Sequence, residues 1–288
     1  MRVSAVESGV MRALEATGRN CWSARVSVRY RHGLDLSVEG VPQPIFVSTA
    51  ARGLFPSHLA VSADVLEALL LKPVGSRLTL GAIDGELCDD ASALLLPARR
   101  FDLRLRLDLD EPIIVSRLQS RTVTFERMLG LVAGAGGLDP FDVLLSDAWS
   151  HRDAFLSGNG MRQAMVSLLG CGRGSTPAGD DMLVGAASAC RALAGTSGET
   201  GDRARTWLGA LAECRPMFAE RTTLMSCGYL NAALDGVFGS HLIALHKVFW
   251  GLRPGSLLSA MLRVKRHGST SGADALAGVC LGYRYLSR

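Results

Sequence analysis

The chain has 288 residues, 48% of them hydrophobic and 20% charged, the balance of a folded globular protein rather than a disordered one. Its 31 Lys plus Arg against 27 Asp plus Glu leave a formal net charge of +4, spread too evenly to call for a polyanionic partner, so no nucleic acid is expected. The longest charge-free stretch, Thr222 to Leu234, falls well short of the roughly 20 residues that span a bilayer, so no membrane span is expected.

Charged Arg2, Glu7, Arg12, Glu15 and Arg19 break up the apolar N-terminus, which therefore lacks the apolar run of a secretory signal, and a cytoplasmic protein is expected. From there the first 110 or so residues read mainly as strands, because side chains alternate with period two. The alternation shows in Arg25 to Tyr30, in Arg77 to Leu80, and most clearly from Phe101 to Leu109, where odd positions are apolar and even ones charged. A single short helix, about Ser62 to Leu71, interrupts them and stops before Pro73. Beyond Glu111 the period becomes helical, with Ser116, Asp139, Asn159, Ser240 and Ser256 as candidate N-caps and the Gly-rich Thr196 to Asp202 as a loop. The expected fold class is α+β: a β-rich domain over residues 1–112 followed by a mostly α-helical domain over residues 113–288.

Seven cysteines with no CxxC pair predict reduced, mostly buried thiols. The six histidines are dispersed, and His241 and His246 are out of step with a helical turn, so no histidine-based metal centre is expected, and the sequence names no cofactor. Glycine is the outlier at 32 residues, against a usual share of about 7%.

The glycines gather in the most informative segment, Gly170-Cys-Gly-Arg-Gly-Ser-Thr-Pro-Ala-Gly-Asp-Asp181. Gly170, Gly172 and Gly174 permit backbone torsions closed to other residues, and Thr176-Pro177 reads as an N-cap and first helical position. A loop that enters a helix in this way exposes unpaired N–H groups at the positive end of a helix dipole, a natural seat for phosphate or a carboxylate. The spacing is neither a Walker loop nor a dinucleotide fingerprint. A second passage, His267-Gly-Ser-Thr-Ser-Gly-Ala-Asp274, repeats the pattern: Gly174 to Thr176 match Gly268 to Thr270, and Gly179, Asp181 and Gly185 match Gly272, Asp274 and Gly278. If both junctions face one cleft, Asp180, Asp181 and Asp274 converge there, with Gly172, Gly174, Thr176, Gly179, Thr270, Ser271 and Gly272 around the ligand. Each feature has an ordinary structural reading too. First-turn aspartates complement a helix dipole, Gly185 and Gly278 suit close helix packing, and Ser and Thr before a helix are common caps.

Glu220 to Gly236 reads as one helix closed by Gly236, in which Thr222, Thr223 and Ser226 lie on adjoining turns. Their hydroxyls serve either a site or back-bonding to the helix. Arg173 is a candidate for an anionic ligand or a solvated loop residue, and neither a Ser-His-Asp motif nor a nucleophilic setting for Cys171 is legible.

At these residues the chain resembles the AllH-like family, the oxamate carbamoyltransferase subunit family. That family's pattern runs Gly-x-Gly-x-Gly-Leu-Thr-Pro-Ser-Gly-Asp-Asp, then Thr-x-x-Ser, then Gly-His-Thr-Ser-Gly-x-Asp, and it maps to Gly170 through Asp181, to Thr223 and Ser226, and to Gly268 through Asp274. Ser175 stands for the usual Leu, Ala178 for Ser, and Ser269 where the family often has His. The resemblance is specific from Gly170 onward. It implies a subunit of a multi-subunit carbamoyltransferase of ureide catabolism, with an FdrA-like partner subunit, interconverting oxalurate plus phosphate with oxamate plus carbamoyl phosphate. Asp180, Asp181 and Asp274 would then be the catalytic carboxylates, accepting from the substrate's amide, and Thr223 and Ser226 would join the substrate-binding residues. The competing expectation is a non-catalytic assembly or small-molecule-binding subunit whose loops only pack helices.

Overall fold

The alternating segments near the N-terminus form strands whose apolar positions share one face. The structure, a computed structural model, describes residues 1–82, 93–97, 100–107, 109, 111–134, 160–268 and 270–288. Its chain divides into two compact units, Met1–Leu103 and Arg104–Arg288. The fold class is α+β, strand-rich first and helical after.

Among the described residues of the first unit eight strands make one sheet: β1 Val3–Glu7, β2 Cys21–Tyr30, β3 Gly33–Val38, β4 Ile45–Thr49, β5 His58–Val61, β6 Arg77–Ala82, β7 Ala93–Leu96 and β8 Arg100–Phe101. Their order is β7-β6-β2-β3-β4-β5-β1-β8. The β2–β6, β2–β3, β3–β4 and β1–β5 pairs are antiparallel, and β4–β5, β6–β7 and β1–β8 are parallel. The start of β1 reaches back to β7: the Met1 ammonium donates to Ala93 O at 2.8 Å and Leu95 N–H to Met1 O at 2.8 Å, curling the sheet toward a half-barrel. Val6, Leu59, Val47 and Leu34 occupy one rung across four strands and fill the core with Trp22, Val26 and Leu80. The helix expected near Ser62 spans Ala63–Leu70 (α2).

Two expectations for this region fail. A second helix, α1 Ser8–Glu15, follows β1 directly, its first turn held by the Glu7 carboxylate accepting from Val10 N–H at 3.2 Å. The alternating stretch Phe101 to Leu109 is not a continuous strand. Ladder pairing stops at Phe101, and among the described residues that follow there is only an isolated bridge, Arg104 to Val237. Alternation still buries Leu103 and Leu105, because a period of two describes which side a residue faces, not whether a neighbouring strand is there to pair.

The helical unit comprises, among the described residues, α3 Glu111–Gly134, α4 Met161–Leu168, α5 Ala178–Leu193, α6 Gly198–Glu213, α7 Phe218–Arg221, α8 Leu224–Leu234, α9 Ser240–Phe249, α10 Leu257–Lys265 and α11 Ser271–Leu286. Ser256 caps α10, accepting from Ser259 N–H at 3.4 Å, as expected. Ser116 instead lies inside α3, Ser240 is the first residue of α9 after Gly239, and the loop expected at Thr196 to Asp202 shrinks because α6 begins at Gly198. Asp139 and Asn159 fall outside the described residues. Among the described residues no helix is long and apolar enough to cross a membrane. The six described cysteines are free thiols.

The core of this unit gathers about α5 and α11, which run parallel in near-backbone contact. A methyl on Gly185 would overlap the Ala275 carbonyl, and one on Gly278 would overlap the Met182 carbonyl. Because Gly185 corresponds to Gly278 and Met182 to Ala275 in the internal repeat, the two contacts are the same contact seen from either copy. The helices are therefore related by a pseudo-two-fold axis running between them, with both N-termini at one end.

Behind this pair lies a buried polar chain. Ser188 donates to Gly185 O at 2.6 Å, so its oxygen accepts from His246 Nε2 at 2.8 Å. The remaining His246 nitrogen, Nδ1, then accepts from the Tyr283 hydroxyl at 2.7 Å, which accepts from Trp250 Nε1 at 3.0 Å. Burial pushes His246 down to about 3, in keeping with this neutral ring. Tyr283→Phe leaves Nδ1 of His246 and the Trp250 N–H without a partner in a dry interior. A loss of about 2–4 kcal/mol in urea unfolding is expected.

Candidate functional site

Each copy of the repeat is built alike: a helix, a glycine loop, then α5 or α11. The preceding helix ends against the first turn of the next, so a methyl on Gly179 would overlap the Leu168 carbonyl and one on Gly272 the Val264 carbonyl. That approach, rather than a ligand, is what forces glycine at these two positions. The first loop turns through positive φ at Gly170 (73°), Gly172 (114°) and Gly174 (103°), the conformations that L side chains resist, and Gly268 (67°) does the same in the second. Gly172 also lies so close to Ala178 that a methyl would sit 2.7 Å from its nitrogen, whereas Gly174 faces open space.

The two loops meet. The hydroxyls of Thr176 and Ser271 are 2.9 Å apart, joining the residues that precede and open the two parallel helices. Gly172, Arg173, Gly174 and Ser175 are exposed beside this contact, and Asp181 and Ser271 are half-buried in it. Two positive helix ends thus point to one spot, where both dipoles favour negative charge.

The carboxylates divide into two groups. Asp180, 1% exposed, is tied down: it accepts from Gly170 N–H at 2.9 Å and from the Thr222 hydroxyl. Burial raises its carboxyl, while Thr222, Gly170 and the nearby Ser226 hydroxyl oppose the rise. The Ser226 hydroxyl, on a residue 1% exposed, makes no well-formed hydrogen bond among the described residues. The matching residue of the second copy is Ala273, so this latch belongs to the first copy alone.

Asp181 and Asp274 occupy equivalent places on α5 and α11 and face each other's surroundings. Burial, first, and the negative charge of Asp274 raise Asp181 to about 8, against the hydroxyls of Ser271 and Thr176 that favour its charged form. Burial likewise raises Asp274, 3% exposed, to about 6, with the Thr270 hydroxyl opposing. On each, Oδ2 is buried and takes no hydrogen bond from a described residue. A buried carboxylate oxygen without a donor costs about 1–3 kcal/mol or more, and a ligand's N–H or a retained proton relieves it.

The expected single helix from Glu220 to Gly236 is broken. Thr222 is extended (φ −133°, ψ 179°), its hydroxyl drawn to Asp180, and Thr223 starts α8 afresh by accepting from Ser226 N–H at 3.1 Å. Thr223 also donates to Ser175 O at 2.5 Å, so this corner buttresses the first loop. The two threonine hydroxyls thus donate across to Asp180 and Ser175 rather than back to carbonyls of their own helix. Thr222, weighed with Thr223 and Ser226 in the sequence but not carried into the substrate-binding set, is the residue that breaks the helix; two adjacent β-branched hydroxyl residues were the available signal.

Of the candidate residues, the structure brings together Thr176, Asp181, Thr270, Ser271 and Asp274 at the junction of the helices. Asp180, Thr222, Thr223 and Ser226 form the supporting corner, and Gly172 and Gly174 shape the exposed loop. Ser269 lies outside the described residues. Among the described residues no group of three or more His, Cys, Asp or Glu side chains is disposed to hold a metal ion.

Fold and site together define a class: a helical unit made of two glycine-loop and helix repeats that share one carboxylate-bearing junction. The family described as oxamate carbamoyltransferase subunit AllH matches residues 168–283, the segment that contains both repeats' loops and helices and the threonine corner, and the resemblance seen in the motifs holds over that segment. The family's name denotes a subunit of oxamate carbamoyltransferase. No curated protein and no solved structure matches the chain.

Proposed function

We propose that this chain is a carbamoyltransferase subunit whose helix junction binds substrate, in a reaction that interconverts oxalurate plus phosphate with oxamate plus carbamoyl phosphate. The observation that supports it most is the Thr176–Ser271 contact, which sets two helix N-termini and two under-bonded carboxylates at one place within the family's matching segment. In the forward direction a phosphate oxygen attacks the ureido carbonyl, the C–N bond breaks, and oxamate leaves with the electron pair on its nitrogen. Exposed loop N–H groups at Gly172 to Ser175 suit the phosphate and the oxyanion that develops on the attacked carbonyl. Asp181 and Asp274 suit the substrate's N–H groups, which supply the donors their Oδ2 atoms lack. Asp180, saturated by Gly170 and Thr222, holds the loop in shape. An FdrA-like subunit completes the enzyme.

In a complex reconstituted with its partner subunits, Asp181→Asn and Asp274→Asn are expected each to lower kcat/KM for carbamoyl transfer by about 100-fold or more, near 3 kcal/mol, without preventing assembly. Wild-type rates in both variants would refute a substrate role for the junction.

A further inference from the structure

Resting on that reading, we propose that Asp181 and Asp274 act as one carboxyl–carboxylate pair that holds a single proton and relays it from the attacking phosphate to the departing nitrogen. Each of the two aspartates lies four residues before the glycine at which α5 and α11 touch backbone to backbone, so both stand on the helix faces that meet. Two carboxylates brought together out of water cannot both stay ionised unless a cation compensates. None does. The charges acting on Asp181 are Asp274 and Asp180, both negative, and its neighbouring donors are the neutral hydroxyls of Ser271 and Thr176. Of the cationic and titratable groups nearby, His246 bonds Ser188 and Tyr283, Lys265 bonds Val132 O, Arg284 bonds Glu126, and Arg173 is exposed on the first loop. His267 stacks on His241, and Cys227 faces Asp180 rather than the pair. Two unpartnered, buried Oδ2 atoms are where a retained proton goes.

The relay balances. Hydrogen phosphate forms the new O–C bond and gives its proton to the pair, the C–N bond breaks, and the pair returns a proton to the nitrogen that becomes the oxamate NH2. Nothing is oxidised or reduced. In reverse, the pair takes the proton from oxamate nitrogen as carbamoyl phosphate is consumed. Asp181, half-buried beside the exposed loop, is the member that touches substrate, and Asp274, more deeply buried, is the one whose charge keeps the proton there.

Carboxyl carbon-13 NMR of the full chain, labelled at aspartate, reads this without turnover. One resonance is expected to titrate above pH 7 in the wild type; it vanishes in Asp181→Asn, and in Asp274→Asn it moves down by one pH unit or more. If every aspartate carboxyl titrates below pH 5, the shared proton is refuted, whatever the activity. In the reconstituted enzyme, kcat/KM should fall above that same pH and the break should move down with Asp274→Asn; an unmoved profile also overturns the relay. An enzyme that turns over normally but shows neither signature loses the relay alone, whereas a complex with no carbamoyl transfer refutes the functional reading itself.

Discussion

Gly278→Ala and Gly185→Ala are each expected to destabilise the helical unit by about 3–5 kcal/mol, enough to unfold much of the protein at 37 °C. The added methyl meets a main-chain carbonyl, Met182 O in one case and Ala275 O in the other, and no rotamer change can move a carbonyl out of the way. Relief requires α5 and α11 to part, which opens the core around Ala186, Ala189, Val279 and Gly282 along their whole interface. Overpacking that side chains can absorb costs about 1–3 kcal/mol, and a backbone clash exceeds it. Helix propensity works the other way, favouring Ala over Gly by about 1 kcal/mol. Gly209→Ala, on α6 with nothing near its added methyl, therefore serves as the control and should be neutral or stabilising. Chemical denaturation of the three variants decides the matter. A loss below 1 kcal/mol at Gly185 or Gly278 would mean that the helices do not approach as closely as the structure has them.

The second large effect lies in pH. Asp181 moves from an ordinary carboxyl value of 3.8 up to about 8 on folding, so between these values the native state holds a proton that the unfolded chain has released. Stability must then fall as pH rises through that window, by up to 1.4 kcal/mol per unit, and the full benefit of the site is present only below about pH 4. Asp274, raised to about 6, adds to the decline over the lower part of the same window. Asp181→Asn removes the larger contribution: at pH 8 it should be more stable than the wild type by about 1–3 kcal/mol, with a flatter pH dependence between pH 5 and 8. His246 opposes this trend below pH 6.5, because a ring lowered to about 3 favours the unfolded, protonated form as pH falls. The comparison of variant with wild type cancels that contribution. Thermal melts at several pH values check it, and a variant less stable than the wild type at pH 8 contradicts the assigned burial of the carboxyl. A substitution that stabilises the fold while disabling turnover would mark the junction as a site kept under electrostatic tension for chemistry.

Much of the candidate site was legible because its constraints are local or repeated. Positive φ at Gly170, Gly172, Gly174 and Gly268 is a demand that only glycine meets easily, and the backbone approaches at Gly179 and Gly272 recur at matched positions, so the duplication is visible as spelling. Ser256 and the end of α2 before Pro73 follow from capping and proline sterics within a few residues. What escaped depends on partners distant in sequence. Nothing near Thr222 says that its hydroxyl will leave the helix for Asp180, more than forty positions earlier in the chain. The separation of Asp180 from its neighbour Asp181, one saturated and the other under-bonded, is likewise set by which loop each meets. The Phe101 to Leu109 pattern misled for a related reason: alternation reports two environments, and both can exist without a ladder. Helix α1 carried a usable signal in Val10, Met11 and Leu14, all buried, but its cap is Glu7, an uncommon choice at that position.

The glycine contacts between α5 and α11 have one more consequence. Because main chain abuts main chain there, the spacing of α5 and α11, and with it the backbone positions from which Asp181 and Asp274 project, is set like the jaws of a calliper by backbone contact and not by the sizes of the surrounding core residues. Neighbouring apolar positions are therefore expected to exchange among Leu, Val, Ile and Met with the two helix starts held in place, a tolerance that a side-chain-packed interface would deny.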